Sequence, residues 1–305
     1  MARRARFTLV DVFTGQPFGG NQLAVFCDAT EITSAEMQLL ARELNFSEST
    51  FVTASDDPAI ARRVRIFTPR REIPMAGHPT IGTGWVLANR GFIAVDSAVV
   101  DVTLGLGVGP VTISICAENH KPRFVWMKHR AAMFGAIRSD RHRVAKALGL
   151  EPAELRSDLP TEIVSTGFPF LLVPVTSSIA LGRCAPNETA LADLFAPNEA
   201  RLPVYIFAVL RAGNFGVRAR MFAPHTDGIP EDPATGSAAG PLGAYAAKHH
   251  LIPDSPELGF IVDQGVEMKR PSQIHVEVKR GPGDAIRIRI GGQCAVVGEG
   301  EITLP

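Results

Sequence analysis

Short apolar runs separated by polar turns dominate the chain, which is typical of strands joined by loops. The runs that predict strands in the first part are RFTLVDVF, LAVF, SESTFVTAS from near Glu48, VRIFTP and two segments around 98–116. Those in the rest are EIVSTGFPFLLVPV as one strand over 162–175, then VYIFAVL, FGVRARMFAP, QIHVEVK, AIRIRI and CAVVGEGEI. The strands do not alternate with helices, so the pattern predicts an α+β fold in which each half is a curved sheet around one main helix.

The first helix is predicted just after LAVF, where apolar residues recur at helical spacing. Thr33 or Ser34 begins it, Glu36 closes a capping box on Thr33, and Asn45 ends it in a left-handed conformation.

Three further helices follow from their start and stop signals. One begins near His78 with Pro79 in its first position and ends at Gly91. The others are predicted near 140–148, ending at Gly149, and from about Ser237 to His250.

One segment occurs twice, as RIFTPRREIPMAGHPTIGTGWVL from Arg65 and as RMFAPHTDGIPEDPATGSAAGPLGAY from Arg220. Three residues match at an offset of 155, and two glycines match at an offset of 159: Arg65, Phe67 and Pro69 with Arg220, Phe222 and Pro224, then Gly77 and Gly84 with Gly236 and Gly243. The repeat predicts two related halves with a site in the cleft between them. The first half is expected to comprise residues 1–118, completed by a C-terminal strand at 292–305, and the second half residues 119–291, with the boundary in the polar stretch Glu118–Pro122.

Charge and composition narrow the function classes. Lys plus Arg and Asp plus Glu each number 31, so no net charge attracts nucleic acid or an anionic membrane. The apolar share of 46% is that of a globular protein, and no apolar run is long enough for a transmembrane span. The basic MARRAR lacks an apolar continuation, and the four cysteines form no CxxC pair, so a cytoplasmic enzyme is expected.

The two glycine-led helix starts are the first candidates for chemistry. Helix starts carry unpaired N–H groups and a partial positive charge that suit a carboxylate, and Gly77 and Gly236 allow a ligand to approach the backbone closely. Ordinary turn chemistry explains one such junction equally well, but two related junctions favour anion binding.

Glu48 is the next candidate, because the apparent counterpart in the other half, STGFPFLLV, has Gly167 and Phe168 instead of a carboxylate. A carboxyl group that faces an apolar wall is suited to general acid–base work. The alternative is a solvated surface glutamate.

Asp232 lies in GIPEDPATGSA, where it is either a turn former or a hydrogen-bond acceptor for substrate or for His78. Glu231 competes for this role, and the sequence does not separate the two. His78 is either a helix-cap residue or a proton carrier.

The chain resembles the PhzF-like family of isomerases, which is related to diaminopimelate epimerase. The stretches that carry the resemblance are DVFTGQPFGGNQLAVF, NFSESTFV, FTPRREIPMAGHPTIGTG, STGFPFLLVPV, FAPHTDGIPEDPATGSAAGPLGAY and GQCAVVGEGE. It implies a diaminopimelate-epimerase-like fold, a homodimer, and no metal or organic cofactor.

The resemblance also assigns roles by position. Glu48 corresponds to the catalytic acid–base residue, and His78 and Asp232 to further catalytic residues. Substrate-binding positions are Ser237, Gly77, Gly236 and Thr235. Related racemases carry two thiols at the positions of Ala76 and Thr235, so a two-thiol racemase is not expected.

The sequence therefore predicts a cofactor-free isomerase that moves a proton on a small carboxylate-bearing substrate. Two alternatives stay open: a dehydratase or epimerase of a hydroxylated or amino acid, and a non-catalytic binding protein on the same scaffold.

Overall fold

The computed structural model of the chain describes residues 3–196, 200–210, 215–224, 229–252, 257–281 and 286–304. It divides into two compact units: unit 1 comprises Met1–Lys128 with Gly291–Pro305, and unit 2 comprises His129–Ile290. The polar stretch Glu118–Pro122, where the boundary was expected, lies within unit 1 as the turn of a β-hairpin. Linkers and hairpin turns are both polar, so composition does not distinguish them.

Unit 1 contains most of the first half of the chain. Its elements are β1 (Arg4–Val12), β2 (Asn21–Phe26), α1 (Ser34–Leu44), β3 (Glu48–Thr53), β4 (Arg62–Phe67), β5 (Glu72–Ile73), α2 (Gly77–Asn89), β6 (Val99–Leu106), β7 (Gly109–Glu118) and β8 (Lys121–Lys128).

Unit 2 follows with a similar set of elements. These are β9 (Met133–Ile137), α3 (Arg141–Ala147), a short 3₁₀ helix (Pro152–Glu154), β10 (Glu162–Ser165), β11 (Pro169–Val175), α4 (Ser178–Arg183), α5 (Glu188–Ala192), β12 (Val204–Leu210), β13 (Gly216–Ala223), β14 (Ile229–Asp232), α6 (Gly236–Lys248), β15 (Glu257–Gln264), β16 (Ser272–Arg280) and β17 (Ile286–Gly292). The chain then returns to unit 1 with β18 (Cys294–Thr303).

Both units use the same order of strands. In unit 1 the order is β18-β1-β2-β3-β4-β6-β7-β8, with β5 paired to β4. In unit 2 it is β9-β10-β11-β12-β13-β15-β16, with β14 paired to β13. The parallel pairs also correspond, β2–β3 with β11–β12 and β4–β6 with β13–β15. The repeat seen in one segment of the sequence therefore extends over a whole unit.

One buried helix lies against the sheet of each unit. In unit 1, α2 contacts β1, β2, β3, β7 and β8, and in unit 2, α6 contacts β10, β11 and β16. The repeated glycines explain this close approach. A Cβ atom on Gly84 would lie 2.1 Å from Ile113 Cδ1, and one on Gly243 would lie 2.8 Å from Val276 Cγ1. Any larger residue would force these core side chains to move, so glycine suits the places where each helix approaches its sheet.

The predicted signals at the ends of α1 are confirmed. Thr33 is the N-cap and forms the capping box with Glu36, and Asn45 has a left-handed φ of 52°. Met37 and Leu40 belong to the same buried cluster as residues of β2, β3 and β4. α1 therefore covers part of the unit 1 sheet.

Two predicted elements differ from the structure. The single strand expected over 162–175 is the antiparallel pair β10 and β11, whose turn contains Gly167 with a φ of +135°. The cluster Ser165, Thr166 and Gly167 with Pro169 just after it is a turn signal between two apolar runs, and the prediction overlooked it. Pro79 is the third residue of α2 rather than the first, a position where its missing N–H has no intrahelical partner to lose.

No helix among the described residues combines the length and apolar character needed to cross a membrane.

Candidate functional site

Glu48 and His78, two of the residues predicted from the sequence, lie side by side in unit 1. Glu48 is the first residue of β3, and His78 is the second residue of α2. Their side chains are 13% and 5% exposed, and Glu48 Oε2 lies 3.5 Å from His78 Nε2. The parallel pairing of β2 with β3 brings the start of β3 beside the start of the buried helix. A carboxylate and an imidazole in this arrangement can hold or move a proton.

Asn21, which was not predicted as a site residue, contacts His78 on its other side. Its Nδ2 lies 3.1 Å from His78 Nδ1, and Ser47 Oγ donates to its Oδ1 at 3.4 Å. Asn21 is 1% exposed. The available signal was a polar residue at the first position of an apolar strand, directly after two glycines.

His78 is a neutral imidazole at neutral pH. Burial lowers its pKa to about 3, although a hydrogen bond with the backbone of Gln22 acts in the opposite direction. Because the ring carries no charge, Glu48 faces a dipole rather than a cation.

The lowered pKa of His78 predicts a loss of stability in acid. Its pKa is about 3 in the folded protein against an ordinary value of 6.5, so between these pH values the unfolded chain binds the extra proton. The free energy of unfolding therefore falls as pH falls through this window, by about 1.4 kcal/mol per pH unit from this residue alone. Urea unfolding between pH 7 and pH 4 measures the slope, which is expected to be shallower in His78→Asn.

His120→Asn is the matched control, because His120 lies exposed in the β7–β8 turn with a left-handed φ of 58° that asparagine tolerates. It is expected to keep the wild-type slope. A residual slope is expected in His78→Asn, since burial lowers the pKa of His129 to about 4. An unchanged slope in His78→Asn would contradict the prediction.

The start of α2 also suits an anion. Its N-cap residue, Ala76, has no polar side chain to cap the helix, and Pro79 lacks an N–H. The N–H groups of Gly77 and His78 lie in the first turn, where helix geometry provides no intrahelical acceptor. Gly77 and His78 are buried, so a carboxylate here would be held away from bulk water.

In unit 2, Asp232 belongs to a buried polar network with Thr235, Gln264 and Tyr205. Thr235 Oγ1 lies 2.5 Å from Asp232 Oδ2, and Gln264 Nε2 donates to Thr235 Oγ1 at 3.0 Å and to the Asp232 carbonyl at 2.8 Å. Gln264 Oε1 accepts from the Thr235 N–H at 3.1 Å and from the Tyr205 hydroxyl at 3.0 Å. Because Gln264 donates to the Thr235 hydroxyl, that hydroxyl gives its own proton to Asp232.

Neither Gln264 nor Tyr205 was predicted from the sequence, although each is a polar group within an apolar strand. Burial, and then the charge of Asp232, raise the pKa of Tyr205, so its hydroxyl stays a donor. The network holds Asp232 as an acceptor within unit 2.

Glu231 was the alternative to Asp232 as a site residue, and its contacts differ from those of Asp232. Arg220 Nε and Nη2 donate to the two carboxylate oxygens of Glu231, each at 2.8 Å. Unit 1 repeats this ion pair between Arg65 and Glu72, at 2.8 and 2.6 Å. A paired arginine and glutamate in both units points to a role in the scaffold.

The strand register also separates Asp232 from Glu231 as the candidate site carboxylate. Asp232 lies opposite Met221 in unit 2, as Ile73 lies opposite Ile66 in unit 1. Asp232 therefore replaces an isoleucine of the other unit, and it is the carboxylate that is peculiar to unit 2.

The start of α6 resembles that of α2. Thr235 is the N-cap but makes no side-chain cap, because its hydroxyl is bound to Asp232. Gly236 is buried in the first position, and Ser237 is half-buried in the second. Ser237 thus occupies the position in unit 2 that His78 occupies in unit 1.

Glu48 has no acidic counterpart in unit 2. Phe67 and Phe222 are equivalent positions of the repeat. Phe67 pairs with Ser49 and Phe222 pairs with Val204, so Ser49 and Val204 are also equivalent. Glu48, one residue before Ser49, therefore corresponds to Pro203. The carboxylate beside the central helix of unit 1 is replaced by a residue that cannot carry a proton.

The stretch containing Gly167 and Phe168, expected to be the counterpart of the Glu48 region, is instead the β10–β11 turn. Parallel pairing places Ala24 opposite Ser49 and Leu171 opposite Val204. By this register Phe168 corresponds to Asn21. The expected alignment was wrong because it compared local residue types, whereas strand pairing determines which positions correspond.

Comparison with known proteins agrees with this architecture. The model of the phenazine biosynthesis-like (PhzC/PhzF) family matches residues 10–300. The chain belongs to this family. A PhzF-family protein of Bacillus anthracis has a crystal structure that superposes with a TM-score of 0.89 at 27% identity, covering 99% of this chain and 100% of that one.

Two further comparisons show which enzymes this PhzF-family member resembles in sequence and in fold. The trans-2,3-dihydro-3-hydroxyanthranilate isomerase of Pseudomonas aeruginosa is 34% identical over 305 residues, which cover 98% of this chain and 99% of the relative. A hydroxyproline epimerase of Agrobacterium vitis shares the fold, with a TM-score of 0.64 at 13% identity, covering 100% of this chain and 94% of that one. The predicted diaminopimelate-epimerase-like α+β fold and the predicted isomerase class are confirmed.

Proposed function

We propose that this protein moves a proton between two carbon atoms of a small carboxylate-bearing substrate by general acid–base catalysis, without a cofactor. The observation that carries the proposal is the pairing of Glu48 with neutral His78 at the start of a buried helix. Glu48 is the proposed proton carrier, because its counterpart in the other unit is a proline.

The proposed reaction needs one group that both removes and returns a proton. The Glu48 carboxylate takes a proton from carbon, and the electron pair of that C–H bond shifts a neighbouring double bond. A new C–H bond then forms at a second carbon with the proton that Glu48 holds, so the product is an isomer of the substrate. His78, whose pKa is lowered to about 3, does not take the proton from Glu48 in the meantime.

The helix starts are the proposed anion-binding elements. The N–H groups at Gly77 and at Gly236 suit a substrate carboxylate, because no N-cap side chain occupies them. Asp232, Thr235 and Ser237 are proposed to contact polar groups of the substrate. The resemblance to the family further leads us to propose a cytoplasmic homodimer.

The name of the Pseudomonas aeruginosa relative suggests the first compound to assay, trans-2,3-dihydro-3-hydroxyanthranilate. The Ala76 and Thr235 positions, where related racemases carry thiols, argue against a two-thiol racemase. Thr235 in particular has committed its hydroxyl proton to Asp232.

Incubation with this compound and a panel of cyclic carboxylates in deuterated water, followed by NMR and mass spectrometry, tests the proposal. The expected result is an isomer of unchanged composition with a new C–H or C–D bond at a second carbon. Label at a stereocentre without isomerisation would identify an epimerase, and loss of water a dehydratase. Binding of these compounds with no conversion would indicate a non-catalytic protein, and each of these three outcomes would overturn the proposal.

A further inference from the structure

We propose that Gln264 is a positioning residue that holds the Asp232 carboxylate as an acceptor for a hydroxyl or amino group of the substrate. Gln264 is the last residue of β15 and is 0% exposed, so it acts through Thr235 and does not itself touch the substrate. The inference rests on the proposed function, in which Asp232 contacts a polar group of the substrate, and it deepens that function by naming the kind of group.

Two backbone groups determine the orientation of the Gln264 amide. The Thr235 N–H can only donate, and it lies 3.1 Å from Gln264 Oε1. The Asp232 carbonyl can only accept, and it lies 2.8 Å from Gln264 Nε2. An inverted amide would place two donors together at the first contact and two acceptors together at the second. The oxygen therefore faces the N–H, and the nitrogen faces the carbonyl.

The hydrogen-bond chain through this amide consequently runs in one direction, from Tyr205 to Asp232. The Tyr205 hydroxyl donates to Gln264 Oε1 at 3.0 Å, and Gln264 Nε2 donates to Thr235 Oγ1 at 3.0 Å. The Thr235 hydroxyl donates in turn to Asp232 Oδ2 at 2.5 Å. A hydroxyl that donates to a carboxylate stabilises its ionised form, which has no proton to give. Asp232 is therefore suited to accept from an O–H or N–H group of the substrate.

Strand register identifies the residue of unit 1 that corresponds to Gln264. Arg63 and Arg218 are equivalent at the repeat offset of 155. Arg63 pairs with the residue directly before Leu106, and Arg218 pairs with the residue directly before Gln264. Leu106 therefore occupies in unit 1 the position that Gln264 occupies in unit 2.

The chain of hydrogen bonds is confined to unit 2. Three of its members have apolar counterparts in unit 1: Ile73 for Asp232, Ala76 for Thr235 and Leu106 for Gln264. Unit 1 forms the same order of strands around its buried helix with these apolar residues, so the fold does not require the polar ones. Buried polar groups destabilise a core unless every one is paired. Their presence in one unit alone points to a role in the site.

Gln264→Met tests the inference without a substrate. Methionine has a similar length but no amide, so the Thr235 hydroxyl and the Asp232 carbonyl both lose their donor. Crystal structures of the variant and the wild type are to be compared. The Asp232 carboxylate is expected to be displaced by more than about 0.5 Å, the tolerance of a preorganised site. A carboxylate that stays in place would overturn the inference.

Turnover provides the second readout. Gln264→Met is expected to raise KM about 10-fold and to keep kcat within about twofold, because a hydrogen bond to a charged group is weakened while Glu48 is untouched. The rise is expected for cyclic carboxylates that carry a hydroxyl or amino group. An equal rise for those that lack both groups would show that Asp232 does not receive such a group.

Gln273→Met is the matched control, because it makes the same change at an exposed residue of the neighbouring strand β16. It is expected to keep the wild-type KM. Urea unfolding of the same preparations separates a structural role from a positioning role. If Gln264→Met is less stable but has the wild-type KM, Gln264 serves the structure alone and the inference is wrong.

Thr235→Val covers the case in which Gln264→Met does not fold. It removes the hydroxyl and keeps the branched shape, so the same rise in KM is expected, whereas Thr235→Ser should keep the wild-type KM. The two changes should not add in the double variant, since Gln264 acts through Thr235. Additive rises would contradict this. If Asp232 is displaced in Gln264→Met but no compound turns over, the proposed function fails while the positioning role stands.

Discussion

Glu48→Gln is expected to fold as the wild type does and to lose about 1000-fold in kcat. The amide keeps the size and planar shape of the carboxylate, so β3 and the contact with His78 are preserved. It cannot accept a proton from carbon, however, and that step is the one proposed for Glu48. KM is expected to change little, because the proposed anion-binding groups are backbone N–H groups of the helix starts.

The measurement compares initial rates over a range of substrate concentrations with urea unfolding of the same preparations. Glu43→Gln is the matched control, since Glu43 lies exposed on α1 of the same unit. It removes the same charge and should retain wild-type kcat. Wild-type turnover in Glu48→Gln would remove Glu48 from the mechanism, whereas an unfolded variant would show that the carboxylate serves the structure.

Arg220→Met is expected to destabilise the fold by about 3–5 kcal/mol. The Arg220 side chain is 9% exposed, and its guanidinium binds both oxygens of Glu231 and the carbonyls of Leu181 and Cys184. Methionine fills the space but leaves the Glu231 carboxylate, itself only 16% exposed, without its partner. The two carbonyls at the end of α4 lose their donor at the same time.

The repeat provides the control for this prediction. Arg65 forms the same paired contact with Glu72, but the two side chains are 34% and 43% exposed. Water can replace the lost partner there, so Arg65→Met is expected to cost under about 1 kcal/mol. Urea unfolding of both variants measures the difference, and equal losses would show that burial does not determine the contribution of this ion pair.

Local sequence patterns correctly predicted helix ends and a strand start, because these features depend on residues close together in the chain. The capping box of Thr33 and Glu36, the left-handed Asn45 and the strand that begins at Glu48 are each confirmed. Each depends on residues a few positions apart, and such contacts form in the same way whatever the rest of the chain does. The turn at Gly167 was missed although Ser165, Thr166 and Pro169 also favour a turn, because the apolar runs on both sides were taken as one strand.

Local sequence patterns identified only part of the candidate site. Glu48 and His78 were identified, but Asn21 and Gln264 were not. Both are amides in strands, remote in sequence from the groups they bind. Their importance arises from register: Asn21 reaches His78 across 57 positions of the chain, and Gln264 reaches Thr235 across 29.

The residue pattern was sufficient to show two related halves, a glycine at the start of each main helix, and His78 and Asp232 as polar residues where the two copies of the repeat differ. These are statements about residue identity at matched positions, and identity is all that a sequence records. The folded chain was needed to show that Glu231 belongs to a repeated ion pair while Asp232 joins a buried network, and that Glu48 corresponds to Pro203. Burial and hydrogen bonding determine what a carboxylate can do, and both depend on neighbours that strand pairing brings together from distant parts of the chain.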